Sequence, residues 1–549
     1  MKKNIKSLII GTSIVGLVGA GIACNTDELK GLNVNPQALD NVDPNFLFTS
    51  VELGAASGGT LGDNRYIDWR TNINFAGYAI QQLASTGGEL GEKYVESGST
   101  FESSNAPFEF IYADQLKNIS VIFKSTGAGG AYEGKFNNMV QAARIVRAFL
   151  FHRLTDYYGN IPYFESMKAA EGLYFPHYDS QESIYQDLLK ELDEATAAIK
   201  DPADANEEVE HTAFARADIY FDGDLSKWRK WGNSLMLRLG MRVADVKSDW
   251  ANTYVSKAVA NGVMTSNADN VFVPMAEAPS LWTSQNGISR AFIPGDGGQT
   301  AFVSKTLVDM LKGPNTGSTA DDDPRLMVLL GGIIDWTPNG FSPFPGGDDP
   351  LNQKGMPNGK NQTDLETIEG HAPLDLNTTY SKINPLLMDR DEPYMLMNYG
   401  EVELLQAEAI ERGIGTVPGT AQAHYEAGVK ASMQMYTPYE GKATGALTVS
   451  DAAVNGYLAQ FPYQGGDDGL EQIGNQMWLN HYMNWWEAWS EWRRTGYPVL
   501  TPVVYPGNST GGTIPVRLKY PNAEVAGNPN FSAGSSPNDF TTRVWWDVD

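Results

Sequence analysis

The run from residue 141 to 164, QAARIVRAFLFHRLTDYYGNIPYF, constrains the fold more than any other stretch of this chain. Phe136, Met139, Val140, Ala143, Val146, Leu150, Leu154 and Tyr157 recur at steps of three and four, which lays one apolar stripe along a helix. A helix with such a stripe has to pack against other helices. Arg144, Arg147 and Arg153 fall off the stripe. Gly159 and Asn160 supply the stop and Pro162 blocks resumption, so the helix ends in a fixed turn over residues 156–163.

The same periodicity predicts helices over residues 65–84, 108–124, 179–200, 224–246 and 469–494. In the last of these Trp478, Tyr482, Trp485, Trp489 and Trp492 form an aromatic stripe, which at helical spacing reads as core rather than as a ligand platform. Residues 85–107, rich in Gly, Ser and Glu, read as a loop holding Tyr94 and Phe101. Between about residues 262 and 394 helical patterning mostly fails, apart from one helix over 299–311. The loops there carry Trp282, Phe292, Trp336, Phe341 and Phe344, a content that argues against simple disorder.

The chain opens with Lys2, Lys3 and Lys6, an apolar run over residues 8–18 and small residues up to Cys24, the pattern of an export signal. The run is too short for a membrane span. Cys24 is the only cysteine, so no intramolecular disulfide can form. The formal charge of −26 becomes more negative still once the three lysines are removed, which disfavours nucleic acid as a partner. Residues 1–23 are therefore expected to be cleaved, leaving 24–549 as one domain: no low-complexity linker divides it. On this evidence alone the fold is mostly α, an irregular bundle of helix pairs with long loop-rich insertions and minor β.

The run LTDYYGNIPYFES resembles the corresponding helix and turn of SusD/RagB-type outer-membrane nutrient-binding lipoproteins. GDLSKWRKWGNSLMLRLGMRVAD (223–245), DDPRL (322–326), EVELLQAEAIERG (401–413), EWRRTGYPVL (491–500) and PVRLKYPNAE (515–524) resemble further segments of that family, in the same order along the chain. The resemblance implies helix pairs like tetratricopeptide repeats, lipidation at Cys24, exposure on the bacterial outer surface, and service as the lid of a SusC-like TonB-dependent transporter. It transfers no ligand-contact residue to this chain.

Catalytic patterns fail on inspection. Gly129, Gly134 and Lys135 imitate a phosphate loop, but Phe136 stands where a hydroxyl is required. Gly507, Ser509 and Gly511 fit GxSxG, yet no histidine follows His481. The six histidines are scattered and form no HExxH pair, so no catalytic residue and no metal ligand is assigned. The acid clusters at Asp321–Asp323, Asp348–Asp349 and Asp467–Asp468 read as solvated loop charge. They leave a structural calcium open, without its D-x-D-x-D-G spacing, and no cofactor is expected.

Binding remains. Sugar rings present C–H faces that stack on aromatic planes, so the expected ligand-contact residues are Trp282, Trp336, Phe341 and Phe344, then Tyr94 and Phe101. The expected ligand is a glycan or oligosaccharide. A peptide ligand in the same architecture, a surface glycosidase using two loop acids, and an adaptor binding only protein are the rivals.

Overall fold

The apolar stripes find their partners in a stack of helices. A computed structural model describes residues 42–57, 65–87, 90–278, 284–298, 300–315, 317–439 and 445–548, without the side chains of residues 57 and 98–102. The expected signal over 1–23, Cys24 and Trp282 lie outside these residues.

The principal helices are α1 (Pro44–Ser57), a π-helix (Asp68–Gly77), α2 (Gly98–Phe110), α3 (Lys117–Thr126), α4 (Asn137–Tyr158), α5 (Gln181–Ala198), α6 (Leu225–Arg242), α7 (Ser248–Asn261), α8 (Tyr399–Glu411), α9 (Ala421–Gln434), α10 (Gly466–Asn480) and α11 (Trp485–Thr495). Neighbours in sequence pack as pairs: α4 on α5, α6 on α7, α8 on α9 and α10 on α11, with α6 also touching α5 and α8. Side-chain caps start several of them, Ser180 on α5, Asp224 on α6 and Asn398 on α8 among them. Gly159, at φ 80°, ends α4 where the sequence placed the stop.

Among the described residues three two-stranded antiparallel ladders brace the loop-rich insertion: β1 (Val271–Val273) with β6 (Tyr394–Met397), β2 (Leu330–Gly332) with β5 (Lys382–Ile383), and β3 (Ile334–Thr337) with β4 (Gly340–Pro343). The helix expected over 299–311 is shorter, Lys305–Lys312, because Ser304 caps it through the N–H of Leu307. A mostly helical architecture with minor β is thus what the chain adopts.

Buried charge ties the pairs together. Arg242 on α6 holds Asp156 of α4 at 2.7 Å and Glu491 of α11 at 2.8 Å, and also pairs with Glu487. Arg238 grips both oxygens of Glu401 on α8, at 2.5 and 2.7 Å. Arg494 of α11 does the same to Glu408 of α8, at 2.6 Å twice. Such pairs must be complete to be tolerated in a dry interior, and each arginine here has carboxylates on more than one helix or in two-point contact.

Two expectations need correction. Residues 98–107 of the expected loop over 85–107 are helical instead: α2 forms there because Ser103 accepts from Thr71 at 2.9 Å and Ser104 from Tyr158 at 2.5 Å, tertiary contacts that outweigh a weak local propensity. The single helix over 469–494 is two, broken at residues 481–484, where Met483 takes φ 73°. Its aromatic stripe is core, with Trp478, Tyr482, Trp485 and Trp489 buried. Arg153, off the stripe, is buried too: its guanidinium lies 4.0 Å from the Trp486 ring centroid and donates to the Ala55 carbonyl at 3.3 Å.

Candidate functional site

The π-helix carries a stacked aromatic pair at its mouth. Tyr66 and Trp69 lie with centroids 6.1 Å apart and planes 21° apart, both half-buried. The Arg70 guanidinium sits 4.3 Å from the Tyr66 centroid, and that of Arg65 sits 5.7 Å from Tyr66 and 5.8 Å from Trp69. π-Helical turns are energetically poor and concentrate at functional sites. This one is held by the core: Asn72 donates to the Met483 carbonyl and accepts from the Trp486 N–H, both at 3.0 Å. The break between α10 and α11 therefore roots the platform.

Asp68 opens the π-helix, between Tyr66 and Trp69 in sequence. It is fully buried, accepts from the Tyr394 hydroxyl at 2.8 Å and from Asn72 at 3.0 Å, and burial pushes its pKa up to about 7 against the pull of Arg153. Asp296 anchors the rim. Its side chain takes Arg65 at 2.9 Å, and Arg290 and Arg390 at 3.4 Å. The neighbouring Gly295 has φ 86°, and a methyl group there would stand 3.2 Å from Pro338, so the β3–β4 hairpin tip is close-packed on this turn.

That hairpin brings two expected contact residues together. Trp336 and Phe341 face each other across the ladder, with Phe341 43% exposed and Trp336 half-buried. Phe344 follows, half-buried, its N–H on the Ile333 carbonyl at 3.0 Å. Tyr94 is a correction: it is fully buried at φ 59°, and its hydroxyl accepts from the Val503 N–H at 3.1 Å, so it faces the core and no ligand can stack on it. Phe101 lies in α2, its side chain outside the described residues, as is all of Trp282. The periodicity over 65–84 puts Tyr66 and Trp69 on a helix face and gives no sign that this face is only partly covered.

The acids have structural occupations. Asp323 is buried and holds Arg325 at 2.6 Å, while Asp321 accepts the Asn315 N–H at 2.8 Å, which corrects the reading of that cluster as solvated charge. Asp349 caps a short 3-10 turn, and Asp467 and Asp468 open α10. Among the described residues no group of three or more His, Cys, Asp or Glu side chains is placed to hold a metal, and no helix is long and apolar enough to cross a membrane.

Comparisons with known proteins bear on what such a platform serves. The SusD-like family described as "Starch-binding associating with outer membrane" matches residues 36–521. A solved chitin-binding protein is 31% identical, with 92% of this chain and 100% of that one covered and a TM-score of 0.74. A SusD homologue from Bacteroides uniformis (22% identity, 93% and 100% covered, TM-score 0.69) and a chitin-binding SusD homologue from Flavobacterium johnsoniae (23%, 92% and 99%, 0.67) share the fold. No curated protein matches.

Proposed function

The chain belongs to the SusD-like family of outer-membrane-associated proteins, and we propose that it is a noncatalytic receptor for oligosaccharides, with chitin fragments as the leading ligand class. The observation that carries this is the Tyr66–Trp69 stack, half-exposed and pinned from below by Asn72 and from the side by the Arg65–Asp296 pair. A sugar ring gains by laying its C–H face on a fixed aromatic plane, because the plane loses no freedom on binding. Arginine donors at the rim suit hydroxyl and acetamido oxygens. The Trp336–Phe341 hairpin, packed on the same turn, extends the surface, and Phe344 and Trp282 belong to the same proposal.

The reading extends to the cell surface. Lipid on Cys24 anchors the protein outside the outer membrane, and the receptor covers a SusC-like transporter as a lid, the tether raising its local concentration there. The similarity to a chitin-binding protein supports the sugar over a peptide. Calorimetric titration with chito-oligosaccharides, malto-oligosaccharides and mixed oligopeptides tests the ligand class. Saturable binding of the first is expected, and binding of peptides alone would replace this reading.

A further inference from the structure

Away from the aromatic platform, the outer side of the α3–α4 pair carries a groove of different chemistry. An open cavity of about 620 Å³ lies between α3, α4 and the segment over residues 163–171, and an adjoining one of about 460 Å³ shares Phe123 and Glu191 with it. The lining is largely apolar: Leu116, Ile119 and Phe151 are buried behind it, and the accessible apolar surface comes from the half-buried Met167, Val121, 43% exposed, and Phe164, 45% exposed. The volume is that of a small-molecule site.

The rim is cationic in a chain of net charge −26. Lys124 and Lys168 line the larger cavity and Lys135 the smaller; all three are exposed, and none makes a side-chain hydrogen bond or ion pair among the described residues. Glu191, the carboxylate common to both cavities, is paired with Arg144 at 2.6 Å and lies 3.9 Å from Arg147, while Arg144 also holds Glu194 at 3.0 Å. Arg147 packs over Phe151 and Tyr163, at 4.8 and 4.6 Å from their centroids, and stiffens the wall. Glu171 is the other carboxylate of the lining. A largely apolar lining suits an alkyl chain whose charged end reaches the lysines.

We propose that this groove binds an amphipathic anion, an acyl or alkyl body ending in a carboxylate or phosphate. The head sits between Lys124 and Lys168 and the chain lies along Met167, Val121 and Phe164. A free fatty acid and a phospholipid share this chemistry, and the test separates them.

The full chain, in nanodiscs of neutral lipid, is photolabelled with diazirine-bearing probes of one chain length: a carboxylate, a phosphate monoester and an alcohol, each added free, and separately a diazirine phosphatidate built into the disc. Labelled peptides are mapped by mass spectrometry. The expected result is labelling concentrated in residues 116–124 and 163–171, at least tenfold stronger for the two anions than for the alcohol. The Lys124→Glu/Lys168→Glu variant loses that labelling tenfold or more while chito-oligosaccharide titration is unchanged. Labelling from the free anions identifies a soluble amphiphile, and labelling from the disc phosphatidate identifies a lipid. Equal labelling by the alcohol, labelling unchanged in the double variant, or no labelling of these segments overturns the proposal.

Discussion

Arg494 lays its guanidinium along both oxygens of Glu408, each contact 2.6 Å, while the same arginine holds Glu491 one turn back on its own helix at 2.6 Å. All three side chains are buried. Removing Glu408 leaves a charged arginine half-paired in the interior, so Glu408→Ala is expected to cost about 3–5 kcal/mol in urea unfolding. Arg412, which meets Glu408 at 2.9 Å from a partly exposed position, sets the contrast. Arg412→Ala is expected to cost under about 1 kcal/mol in the same assay.

These pairs set the acid limit of stability. Burial alone would raise the carboxylate of Glu491, but Arg494 and Arg242 outweigh it and hold it at about 2; Asp156, Glu408 and Glu487 are lowered in the same way by their arginines. A depressed carboxylate stabilises the fold above its unfolded pKa and loses that contribution as pH falls through the folded value. Stability from this network is therefore expected to be intact at pH 5 and to drain between about pH 4 and 2, measured by thermal melting across that range.

Glu52 titrates the other way. Burial first, and then the neighbouring Asp218, raise its pKa well above the ordinary value. The folded state keeps a proton that the unfolded chain has lost, so stability falls as pH rises from about 4.5 toward the raised folded value. Gln resembles the protonated acid: its oxygen can accept the Ile219 N–H that Glu52 now accepts at 3.0 Å, and its amide can donate to Asp218. Glu52→Gln is expected to melt with wild type at pH 5 and above it at pH 8. A constant difference across that range would count against the assignment.

The β3–β4 hairpin separates binding from stability. Trp336 and Phe341 stand opposite each other on the hairpin, and Phe341 is 43% exposed, so replacing Phe341 with Ala removes an open contact surface and little core. Affinity for chito-oligosaccharide is expected to fall roughly three- to tenfold, about 0.6–1.4 kcal/mol, with a melting temperature within 2 °C or so of wild type.

Which parts were legible in the sequence follows from the physics. The α4 helix, read over 136–157, forms as Asn137–Tyr158, and α5, read over 179–200, forms as Gln181–Ala198, because apolar spacing reports a buried face directly. Burial of charge leaves no such trace: a lone Arg242 or Asp156 looks like surface until its partner on another helix is known. The segments that resembled the family turn out to supply that network, Asp156 from LTDYYGN, Arg238 and Arg242 from the α6 run, Glu401 and Glu408 from EVELLQAEAIERG, and Arg494 from EWRRTGYP. The platform was harder to see. Tyr66 and Trp69 sit at helical spacing, and only the π-helical geometry and the Asp296 anchor, 231 residues from Arg65, expose them.

Membrane attachment has its own check. Cys24→Ser is expected to abolish incorporation of radiolabelled palmitate in the native host and to shift the protein from the membrane pellet to the soluble fraction, since the one thioether-forming side chain is gone. Label retained on the variant would place the lipid elsewhere.

Titration of Trp69→Ala with chitohexaose, followed by calorimetry beside wild type, bears most directly on the receptor reading. Loss of the stack is expected to weaken binding at least tenfold, about 1.4 kcal/mol, in a variant that is less stable to urea because Trp69 also packs on the core, but still folded under the conditions of the titration. Wild-type affinity in the variant, or no chitohexaose binding by the wild-type protein, would contradict it.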